Sequence, residues 1–64
     1  MTQKELLYVE DAVNHEKDII AIVNDTINNL EDIKLVKFLK KELNNHMAYK
    51  NELLKLLEEM SNEW

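Results

Sequence analysis

The chain has 64 residues, of which 45% are apolar, with no glycine, proline or cysteine and a net charge of −5 at pH 7. The lack of glycine disfavours the tight turns of β-hairpins, and the lack of cysteine excludes disulfides and thiolate metal sites. All the basic residues are lysines, and a chain this acidic is not expected to bind nucleic acid, because a phosphate-binding surface needs clustered positive charge. We therefore expect an all-helical protein.

The first helix is predicted over residues 3–29. Residues 2–5 have the form of a capping box, in which the Thr2 hydroxyl accepts from the backbone N–H of Glu5 and the Glu5 carboxylate accepts in return. Apolar residues then recur in steps of three and four, with one polar interruption at Glu16. This main row is Leu6, Val9, Val13, Ile20, Val23, Ile27 and Leu30. A second row beside it consists of Ala12, Ile19 and Ile22, with Tyr8 and His15 at its edge.

A turn is predicted at residues 28–32, where Asp32 or Asn29 can cap the following helix. The second helix is predicted over residues 33–60. Its main row is Val36, Leu39, Leu43, His46, Lys50, Leu53, Leu57 and Met60. Further apolar residues flank this row, with Leu35, Tyr49 and Leu56 on one side and Met47 and Leu54 on the other.

Both helices carry more apolar surface than one neighbour can cover. Two helices of about 40 Å joined by a short turn fold back as an antiparallel pair. A core of this size seldom stabilises a chain alone, so the surplus surface predicts a homodimer. The predicted fold is all-α, with residues 1–64 forming one antiparallel helical-hairpin domain that dimerises into a four-helix bundle. The predicted interface consists of Leu6, Val9, Val13, Ile19, Ile20, Ile22, Val23, Leu39, Leu43, Leu53, Leu57 and Trp64.

Polar residues interrupt the apolar rows near the middle of the hairpin. With a turn centred near residue 31, Glu16 is predicted to lie opposite His46, and Glu42 lies one turn before His46. One interpretation is a buried hydrogen-bonded pair that specifies the register, which needs no cofactor. The other is a metal site in which Glu16, Glu42 and His46 bind iron, manganese or zinc.

The pattern resembles the ferritin-like proteins, and among them the short helical-hairpin spore-coat proteins of the coat F type. The resemblance extends through residues 5–12, 15–17, 32–39 and 42–46. It implies a ferritin-like bundle, in which metal is held by a Glu from each of two helices and a Glu-x-x-His motif from each of the others. Glu16 matches the first role, whereas Leu43 occupies the position three before His46. The coat-type resemblance implies a structural role, spore association and other coat proteins as partners.

No residues favour nucleophilic or phosphate chemistry, because the few hydroxyl side chains lack a histidine–carboxylate arrangement and a glycine-rich loop cannot form. We therefore predict a non-enzymatic structural or protein-interaction module. If the protein were an enzyme, a metal-dependent oxidase would be the plausible kind. The alternatives are a ferritin-like metal-binding protein and a small regulatory hairpin that docks on a larger cytoplasmic protein. The longest apolar run, residues 19–23, is too short to span a membrane, and the N-terminus lacks a signal-peptide core, so a cytoplasmic location is expected.

Overall fold

The computed structural model describes residues 2–62 and consists there of two helices. Helix α1 is Gln3–Asn28 and helix α2 is Ile33–Asn62. The helices pack along one another, and the Cα atoms extend over 48 Å in the long direction and 14 and 11 Å in the other two. This confirms the predicted all-helical hairpin. Trp64, which was predicted to join the interface, lies outside the described residues.

The start of each helix is capped by a side chain. In the capping box, the backbone N–H of Glu5 donates to Thr2 Oγ1 at 3.1 Å and that of Thr2 donates to Glu5 Oε1 at 2.9 Å. At the start of α2, the backbone N–H of Leu35 donates to Asp32 Oδ1 at 3.0 Å. These bonds satisfy N–H groups that have no partner within the helix. Both caps agree with the predictions from sequence, with Asp32 rather than Asn29 capping α2.

Asn29 ends α1 without a left-handed residue. Its backbone N–H donates to the carbonyl of Thr26 at 3.0 Å, and its side-chain amide donates to the carbonyl of Asp25 at 2.8 Å. Its φ of −105° is on the ordinary, negative side, so the turn does not need glycine. The helices predicted over residues 3–29 and 33–60 therefore end at residues 28 and 62 in the structure.

The core of the single hairpin is small. Of the described residues only Val13, Glu16 and Met60 are buried, with exposed fractions of 4%, 9% and 2%. The remaining residues of the two main rows are half-buried, and we call the two rows together the hairpin seam. These half-buried residues are Leu6, Val9, Ile20, Val23, Ile27, Leu30, Val36, Leu39, Leu43, His46, Lys50, Leu53 and Leu57. The hairpin seam thus holds the helices together with few fully enclosed side chains.

The contact that the structure shows across the hairpin agrees with the predicted register. A turn centred near residue 31 sets Glu16 opposite His46, and these two side chains are in hydrogen-bond contact. Nearer the open end, Val13 shares a groove with Leu54 and Leu57 of α2.

Candidate functional site

Glu16 and His46 form a hydrogen bond across the hairpin seam. Since a carboxylate only accepts, Nδ1 of His46 is the donor and Oε2 of Glu16 the acceptor, at 2.6 Å. The side chains of Glu16 and His46 are 11% and 33% exposed. A bond this short is typical of charge-assisted pairs, and it offsets the cost of burying a carboxylate. The predicted contact between Glu16 and His46 is confirmed.

The hairpin brings together two of the three predicted metal ligands. Glu42 is half-buried on α2. Within residues 2–62, no group of three histidine, cysteine or carboxylate side chains is placed to hold a metal ion. Glu16 engages Nδ1 of His46, which leaves Nε2 as the histidine nitrogen that is free to face another group. The metal site of Glu16, Glu42 and His46 stays a prediction that needs a second hairpin or a rearranged Glu16.

Many large apolar side chains of the described residues remain exposed. Ten of them are between 38% and 71% exposed. Six of the ten, together with Ala12 and Ile19, fall on a second row of each helix beside the hairpin seam, with polar residues at the intervening positions. We call this set the apolar face. It consists of Tyr8, Ala12, Ile19 and Ile22 on α1 and Leu35, Phe38, Tyr49 and Leu56 on α2.

The second rows of α1 and α2 lie on the same side of the hairpin. The groove that contains Leu54 of α2 is also lined by Glu10, Asn14 and Lys17 of α1. On each helix, these groove residues flank the hairpin seam on one side and the second row flanks it on the other. Since Leu54 and the three α1 residues share one side, the two second rows must share the opposite side. The residues of the apolar face therefore lie on one side of the hairpin, over residues 8–22 of α1 and 35–56 of α2.

The interface predicted from the sequence contains two of the eight residues of the apolar face, Ile19 and Ile22. It lacks Tyr8, Ala12, Leu35, Phe38, Tyr49 and Leu56, whereas nine of its members belong to the hairpin seam. The signal was present in the sequence, because Leu35, Phe38, Tyr49 and Leu56 fall on one heptad pattern. Recognising it required the assumption that the more continuous apolar row of each helix forms the contact within the hairpin, which leaves the second row exposed.

The face also carries polar residues. His15 and Asn45 are exposed and Glu42 is half-buried, and they interrupt the apolar face near the middle of the chain's two helices. Glu5 lies on the face at its open end, where the backbone N–H and hydroxyl of Thr2 hydrogen-bond the carboxylate and hold its pKa below the usual range. Polar residues therefore interrupt the apolar face at its middle and at its open end, where Glu52 and Glu59 of α2 also fall on the second row.

Comparison with protein-family models, with curated proteins and with solved structures finds no match for this chain. Neither α1 nor α2, over the residues the structure describes, contains an apolar stretch long enough to cross a membrane.

Proposed function

We propose that this protein is a non-enzymatic structural or protein-interaction module that acts as a homodimeric four-helix bundle. The observation that carries the proposal is the apolar face, on which Tyr8, Ile22 and Phe38 are each about 60% exposed in the single hairpin. Several large exposed apolar side chains on one side of a small protein indicate an interaction site. The face covers both helices, so its partner must present a long and equally flat surface.

A second copy of the chain has a surface of that size and shape. The face extends over residues 35–56 of α2, which is about 33 Å at 1.5 Å per residue. Two helices side by side, each about 10 Å across, give it an area of roughly 650 Å². Stable interfaces begin at about 600 Å² from each partner. Two-fold symmetry pairs the face with itself and closes the assembly.

The small core of the single hairpin supports the same conclusion. Only Val13 and Met60 are buried apolar residues among those described. Chains of this size without disulfides usually depend on a metal or on association for stability. Pairing two apolar faces would bury the second rows of four helices around a common core. Folding and dimerisation are then coupled, so stability depends on protein concentration.

In this dimer, the Glu16–His46 pair specifies how the helices align. Polar pairs in otherwise apolar seams favour the arrangement that satisfies them over registers that leave a buried charge unpaired. A structural role of the spore-coat type, with other coat proteins as partners, is consistent with such a module and rests on the resemblance of the sequence alone.

Sedimentation of matched variants tests the proposal. Phe38 and Leu7 are 58% and 53% exposed in the hairpin, but Phe38 lies on the apolar face and Leu7 does not. We expect the wild type and Leu7→Glu to sediment as dimers at micromolar concentration, and Phe38→Glu to dissociate because a carboxylate would be buried at the interface. A monomeric wild type with intact helices would contradict the dimer and favour a hairpin that docks on a larger protein.

A further inference from the structure

We draw no further inference here: the strongest candidate, the open groove between the two helices on the side away from the apolar face, is lined by Glu10, Val13, Asn14, Lys17, Leu54 and Leu57, and nothing among the described residues shows what would occupy it.

Discussion

His46 donates a hydrogen bond from Nδ1 to Oε2 of Glu16 across the hairpin seam, over 2.6 Å. Glu16 is one of only three buried residues among those described, and the other two, Val13 and Met60, are apolar. Thus the most enclosed polar side chain of the described residues depends on a partner in the other helix. Among those residues, no buried side-chain nitrogen or oxygen lacks a hydrogen-bond partner.

Removing the histidine should leave the carboxylate of Glu16 buried without its partner. We expect His46→Leu to lower the free energy of unfolding by about 1–3 kcal/mol, the typical cost of an unsatisfied buried group. The double variant Glu16→Leu/His46→Leu should recover most of this loss, because it replaces both polar groups with apolar ones. Urea denaturation of the wild type, both single variants and the double variant measures the coupling. Additive losses would show that the hydrogen bond contributes nothing to stability.

Thermal stability should rise with protein concentration if folding and dimerisation are coupled. We expect the midpoint of the helix melt, followed by circular dichroism, to increase measurably between low and high micromolar wild-type protein. Ile22→Glu should weaken that dependence, because Ile22 lies on the apolar face and is 64% exposed in the single hairpin. Ile33→Glu is the control, since Ile33 is 71% exposed but belongs to neither row. A wild-type midpoint that is independent of concentration would argue against coupling.

The capping box predicts a specific acid dependence. Hydrogen bonds from the backbone and then the side chain of Thr2 lower the pKa of Glu5 from its ordinary value of 4.5. A carboxylate whose pKa is lower in the folded state stabilises the fold above its unfolded pKa and loses that effect as pH falls through the folded pKa. Glu5→Gln keeps a capping side chain that does not titrate. As pH falls below about 4.5, the melting temperature of the wild type should therefore decrease relative to that of Glu5→Gln. A difference that is constant from pH 6 to pH 3 would contradict this role of Glu5.

The cap of α2 should contribute to stability independently of the interface. Asp32→Ala removes the acceptor for the backbone N–H of Leu35. We expect a loss of about 1 kcal/mol in the free energy of unfolding, as for other N-cap replacements. Glu31→Ala changes the neighbouring exposed carboxylate and should have a much smaller effect. Equal losses in the two variants would attribute the effect to charge instead of capping.

Metal content separates the two interpretations of the polar layer. If Glu16 and His46 act as a hydrogen-bonded pair, we expect protein purified without chelator to carry no stoichiometric metal and its melting temperature to be unaffected by chelator. Elemental analysis of the wild type, Glu16→Ala and His46→Ala measures this. Stoichiometric iron, manganese or zinc that disappears in both variants would instead favour the predicted metal site and its ferritin-like chemistry.

The sequence alone determined the helices and their main contact. The capping box at Thr2, the cap at Asp32 and the rows in steps of three and four depend on local hydrogen bonding and helical periodicity, which neighbouring residues specify. The contact between Glu16 and His46 was also predictable, because Glu16 is the polar interruption of the row on α1 and His46, one of two polar residues in the row on α2, lies opposite it when the turn is centred near residue 31. The metal site and the dimer stay predictions, since they depend on groups from a second chain.

Tertiary structure decided how far each side chain is buried and the side on which surplus apolar surface is exposed. Periodicity does not say which members of an apolar row become enclosed; in the hairpin, Val13 and Met60 are buried, whereas the other apolar residues of the two main rows are half-buried. Nor does the order of residues within one helix show which flank of α1 coincides with which flank of α2. That depends on the right-handed coil of both helices and their antiparallel packing, which together set the second rows side by side on one face.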